Sequence, residues 1–209
     1  MMIYGLRAPL PFLKGHVRHL RPVWLMEELG VPYELHFLDG EKSEEVSKDY
    51  LEINPFGKVP SLRDGSLTLF ESAAICNYLA DKYGKLIPEA RTPARALYDQ
   101  WMYVSVTMVE PHTVRILSTD FFYEKDDPEA PILREAALEN LEGTLPVIEA
   151  HLGKNAYLMG SEFSVADILM TSCLRLAAHS DLFKKYPKIS SYIHRNSERR
   201  AFQAAFALQ

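Results

Sequence analysis

Over the first third of the chain the spacing of apolar positions switches repeatedly between the strand and the helix period. Met2 to Leu6 is a short apolar run, long enough only for a strand. Val23, Trp24, Met26 and Leu29 then recur at helical spacing from Pro22 onward, and Gly30 with Pro32 predicts the stop. Tyr33, Leu35 and Phe37 alternate with Glu34 and His36, a strand pattern. Between Ser43 and Ile53 the apolar positions are sparse (Val46, Tyr50, Ile53), which predicts a short surface helix ended by Asn54-Pro55. Val59–Leu62 and Leu67–Phe70 flank Asp64-Gly65, a hairpin signal. Glu71-Ser72 opens an apolar helix (Ala73, Ile75, Cys76, Leu79) that Gly84 ends. The order βαβαββα predicts a small mixed sheet packed by helices, a thioredoxin-like domain over residues 1–84.

Residues 85–93 contain two prolines and read as a linker. Thr92-Pro93 is a helix start, a capping hydroxyl followed by proline at the first helical position. Strand patterns then disappear. A long helical segment reaches about Asp120 with a bend expected at Pro111, a charged loop spans Tyr123 to Pro131, and helical spacing continues to the end. Residues 94–209 are therefore expected to form an all-α helical domain. Within it, Ser164 and Asp167 have capping-box spacing, and Phe163 can staple against Ile168. That pattern marks a helix start and carries no chemistry.

Composition removes several function classes. The 209 residues are 47% hydrophobic and 24% charged, which argues against disorder, and the net charge of −5 offers no footprint for nucleic acid or an anionic membrane. No apolar run is long enough to span a bilayer, and the first residues lack the basic start and apolar core of a signal peptide. Cys76 and Cys173 lie far apart and form no metal-type or redox-type pair. These features predict a cytoplasmic protein with free thiols and no metal.

The most informative stretch is Asn54-Pro55-Phe56-Gly57-Lys58-Val59-Pro60-Ser61-Leu62, followed by Phe70-Glu71-Ser72. On these residues the chain resembles the soluble glutathione S-transferases, bacterial-like and of unassigned class, over nearly its whole length. The resemblance implies a cis Val59-Pro60 bond that turns the Val59 backbone toward the cysteinyl part of glutathione. It implies that Ser72 and the free N–H groups of a helix start bind the γ-glutamyl carboxylate, as helix N-termini bind anions. Glu71 would meet the ligand's ammonium group and Lys58 its glycyl carboxylate. A two-fold homodimer follows from the family, as does an apolar cleft for a small electrophile, which one or two of Tyr98, Trp101 and Tyr103 would help line. The activity implied is conjugation of the glutathione thiolate to that electrophile. A glutathione-dependent disulfide reductase or isomerase, and a non-catalytic binding or regulatory protein, are the alternatives on the same fold.

Family members place a Tyr, Ser or Cys at the end of the first strand or the start of the first helix. Here Gly5 to Arg21 contains no Ser, Thr, Cys, Tyr or Asn, and Leu10-Pro11-Phe12 stands where cysteine-type relatives read Cys-Pro-Phe. Tyr4 is the nearest hydroxyl. The same segment is rich in positive charge (Arg7, Lys14, His16, Arg18, His19, Arg21), and the first acidic residue of the chain is Glu27. Cations and backbone N–H groups favour a thiolate over a thiol. Tyr4, Arg18 and His19 are the candidate activators.

Overall fold

The computed structural model describes residues 1–7 and 13–209; Leu10-Pro11-Phe12 lies outside them. Two compact units emerge, one of Met1–Ile87 with Glu198–Gln209 and the other of Pro88–Ser197.

In the first unit β1 (Met2–Leu6), α1 (Leu20–Leu29), β2 (Glu34–Leu38), α2 (Lys48–Leu51), β3 (Ser61–Asp64), β4 (Leu67–Phe70) and α3 (Ser72–Tyr83) follow in the expected order. The strands lie in the order β2-β1-β3-β4, with β1 parallel to β2 and antiparallel to β3. Tyr4 is paired with His36 on one side and Ser61 on the other. Side chains of a strand alternate between faces. Gly5 therefore faces α1, and a Cβ there would sit 2.8 Å from the His19 ring, so only glycine fits. Tyr4 faces the other way, into a cluster with Leu38, Tyr50 and Ile53. The helix expected over 43–53 is broken instead into a 3-10 turn (Glu44–Val46) and the single turn α2, preceded by another 3-10 turn at Gly40–Lys42. Asp39 accepts hydrogen bonds from the Glu41 and Lys42 N–H groups, and Ser47 accepts one from Tyr50, so each side-chain oxygen restarts the backbone.

The chain end departs from the expected 94–209 domain. Its last helix, which becomes α9 (Arg200–Ala207), groups with the first unit and packs on α1. Phe202 meets Trp24 edge-to-face at 4.9 Å, and Arg199 pairs with both oxygens of Glu28 at 2.5 and 2.8 Å.

The second unit is helical, as expected: α4 (Pro93–Tyr103), α5 (Glu110–Phe121), α6 (Glu129–Leu152), α7 (Val165–Arg175) and α8 (Pro187–Ser197). Thr92 caps α4 by accepting from the Arg95 N–H at 3.2 Å. A π-helical turn, Val104–Val109, joins α4 to α5 just ahead of Pro111. The wider turn sits where Pro111, lacking an N–H, leaves a carbonyl of the preceding turn without its usual helical donor. Pro131, assigned to a loop by its sequence, lies in the first turn of α6, where the missing N–H costs nothing. The capping box of Ser164 and Asp167 opens α7, and the fully buried Asp167 carboxylate also accepts from Leu158 N–H and the Tyr192 hydroxyl. Tyr98 is core, Trp101 lies against His151, and Tyr103 is exposed. No helix of the described residues is long and apolar enough to cross a membrane.

Candidate functional site

Asn54 builds the loop ahead of β3. Its side-chain oxygen accepts from the Phe56 N–H at 3.1 Å, while its amide donates to the Lys58 carbonyl at 2.6 Å. The Tyr50 hydroxyl donates to the same carbonyl at 2.7 Å and lies 2.8 Å from the Ser61 hydroxyl. Gly57 completes the turn at φ +60°, with the Glu45 carbonyl 3.0 Å from where a Cβ would stand. Held at Lys58 on one side and by the strand pairing that begins at Ser61 on the other, Val59-Pro60 is cis, as the resemblance implies. The Val59 N–H and C=O have no hydrogen-bond partner among the described residues, which leaves an antiparallel edge for an extended ligand.

Glu71 follows β4 at φ +69°, ψ 111°, a conformation that L residues rarely adopt and that concentrates at ligand sites. It puts Ser72 inside the helix at its first position, so Ser72 is not the cap. No side chain caps α3, and its first-turn N–H groups remain available to an anion. Buried Ser72 accepts a hydrogen bond from the Arg21 guanidinium at 3.0 Å, and that orientation frees its own proton for donation. In the sequence Arg21 is one of a run of basic residues; its support of Ser72 depends on α1 packing beside α3. Cys76, one turn further on, is fully buried. Desolvation pushes its thiol up to about 12 against the pull of Arg21, so it is core and inert.

The candidate activators separate. Tyr4 is 6% exposed and stands on the α2 face, lining a cavity with His36 and Arg63, away from the α1 face where Arg21 holds Ser72. His19 is completely buried under Gly5, with its ring edge-on to Phe37, and burial lowers its pKa to about 4. The imidazole is therefore neutral at neutral pH, and the positive charge expected of His19 is absent. Its ring nitrogens lie 3.5 Å from the Leu6 N–H and 3.4 Å from the Gln209 amide, so it ties β1 to the chain end. Of the other basic residues, Lys14 lies over Phe206 and Arg7 over Phe37. Arg18 is exposed just before α1. Lys58 is exposed beside Val59, and Glu71 is exposed at the start of α3.

The fold is a thioredoxin-like unit followed by a helical one, with a cis Val59-Pro60 bond and an uncapped α3 start in the first. Comparison with known proteins makes this specific. The description "Glutathione S-transferase, N-terminal domain" matches residues 13–81, and "Glutathione S-transferase, C-terminal domain" matches residues 101–199. A probable glutathione S-transferase GSTF2 of Oryza sativa subsp. japonica is 35% identical over 82% of this chain and 83% of its own length. Glutathione S-transferase 1 of Zea mays is 32% identical over 88% of each. Among solved structures, glutathione S-transferase-I bound with lactoylglutathione superposes at a TM-score of 0.82 with 30% identity, over 100% of this chain and 99% of that one. The chain belongs to the glutathione S-transferase family.

Proposed function

We propose that this glutathione transferase holds its cosubstrate along Val59 and the start of α3 and directs the thiolate at a small apolar electrophile. The observation that carries the reading is the uncapped α3 start, with Ser72 oriented by Arg21, beside a Val59 backbone that pairs with nothing in the described chain. The γ-glutamyl carboxylate takes the Ser72 hydroxyl and the first-turn N–H groups. Glu71 offers its carboxylate to the ligand ammonium, the Val59 backbone pairs with the cysteinyl segment, and Lys58 meets the glycyl carboxylate. Glutathione-bound relatives support this choice of ligand. A transferase from Burkholderia graminis, 26% identical at a TM-score of 0.84, has two glutathione molecules bound per subunit.

Thiolate stabilisation falls to Arg18 and the backbone N–H groups ahead of α1. His19 is neutral and Tyr4 looks into a different cavity, so neither takes that role. A cation within about 4–6 Å of the sulfur lowers a thiol pKa by about 1–3 units. Arg18→Ala is expected to raise the apparent pKa of bound glutathione, followed by thiolate absorbance, while Tyr4→Phe leaves it in place; the reverse pattern overturns this assignment. Conjugation of glutathione to a panel of apolar electrophiles tests the reaction itself. Disulfide reduction without conjugation would instead point to a reductase on the same fold. The assembly we propose is an isologous homodimer in the cytoplasm, in keeping with two buried free cysteines and the exposed ring of Phe56. A monomeric mass by light scattering at micromolar concentration would refute the dimer.

A further inference from the structure

The helix that covers the Tyr4 face of the sheet is too short to close it. Helix α2 has four residues, about 6 Å of rise, whereas four strands span about 14 Å. A cavity of about 530 Å³ remains between them, within the range of small-molecule sites. Met2, Leu38 and Ile53 give it an apolar lining. Tyr4 lies 94% out of solvent in the same wall, yet its hydroxyl has no hydrogen-bond partner among the described residues. That hydroxyl opens into the cavity, where it can donate a hydrogen bond to a ligand. His36 stands edge-on to the Tyr4 ring at 5.5 Å, and its nitrogens are likewise without a hydrogen bond among the described residues.

Charge decides the class of ligand. The Arg63 guanidinium lies 6.0 Å from the Tyr4 ring centroid, at the β3 side of the cavity. Asp49 and Glu44 line it from the α2 side. Neither Arg63 nor Asp49 has an ion-pair partner among the described residues, whereas Glu44 already accepts from the Asp39 N–H at 2.7 Å. A simple anion would meet two carboxylates, and a simple cation would meet the guanidinium. A molecule with one charge of each sign and an apolar body satisfies both walls. We propose that this cavity is a second ligand site, which binds a zwitterionic α-amino acid or short peptide with an apolar side chain. Its carboxylate pairs with Arg63 and the Tyr4 hydroxyl, its ammonium pairs with Asp49, and its side chain rests on Met2, Leu38 and Ile53.

Titration of the full-length protein with L-phenylalanine, followed by amide shifts in NMR and by calorimetry, tests the proposal. Glutathione is itself a zwitterionic peptide, so the titration is run with and without saturating S-methylglutathione. The expected result is binding that survives S-methylglutathione and perturbs amides of β1, β2 and α2. Affinity should fall at least tenfold for N-acetyl-L-phenylalanine and for L-phenylalaninamide, each of which lacks one charge. Arg63→Ala and Asp49→Ala should each weaken phenylalanine at least tenfold while leaving conjugation rates unchanged; both positions are exposed, and melting curves verify their folding. No binding at millimolar phenylalanine overturns the proposal. Binding displaced by S-methylglutathione, or equal for all three probes, overturns it as well.

Discussion

Ser72→Ala is the perturbation whose size follows most directly from the geometry. In the wild-type chain the Ser72 oxygen already accepts from Arg21 at 3.0 Å, so its single proton is committed outward. Alanine removes a donor to a bound carboxylate, a charge-assisted bond worth about 1.5–3 kcal/mol. At 1.4 kcal/mol per tenfold, glutathione should bind about 12- to 150-fold more weakly. The first-turn N–H groups of α3 are untouched, so binding should weaken without vanishing. A smaller loss of fold stability, about 1 kcal/mol, should accompany it because Arg21 loses one acceptor. Calorimetry with glutathione and with S-methylglutathione separates ligand binding from thiol ionisation, and both should weaken alike. Ser72→Thr keeps the hydroxyl and should stay within a few-fold of wild type. Affinity within about threefold of wild type in a folded Ser72→Ala protein would refute the assignment of the carboxylate site.

Asn54→Ala should lower glutathione affinity roughly tenfold and stability by about 1–2 kcal/mol, because the Lys58 carbonyl keeps only the Tyr50 hydroxyl; unchanged affinity would mean that the loop does not depend on that clamp. His19 should make the fold acid-sensitive. Its folded pKa of about 4 lies below the unfolded value of about 6.5, so between these the unfolded chain binds more protons and stability falls as pH drops. The loss should reach about 3 kcal/mol by pH 4 and be absent above about pH 7. Denaturant titrations of wild type and His19→Gln across that window should differ in slope by about one proton, and equal slopes would contradict the burial account.

Much of the fold was legible in the sequence because its signals are local. Alternation around Tyr33–Phe37, the Asp64-Gly65 turn, the Thr92-Pro93 start and the Ser164/Asp167 capping box each depend on neighbours a few residues away. The Val59-Pro60 and Glu71-Ser72 pairs were legible as motifs for the same reason. What escaped depends on contacts between distant segments. Nothing near Arg200 signals that α9 returns to Trp24 and Glu28 of the first unit. The charge of His19 is removed by its burial beneath Gly5, and Arg21 finds Ser72 across 51 positions of sequence. The direction of Tyr4 follows from strand register, in which a single residue's shift exchanges the two faces of the sheet.

A crystal structure of the complex with reduced glutathione would test the central claim most directly. The account predicts the γ-glutamyl carboxylate at the Ser72 hydroxyl and the first-turn N–H groups of α3, the cysteinyl backbone paired with Val59, and the sulfur on the α1 side nearest Arg18 and the N–H groups ahead of α1. A sulfur within hydrogen-bond distance of the Tyr4 hydroxyl, or a γ-glutamyl group bound away from Ser72, would contradict it.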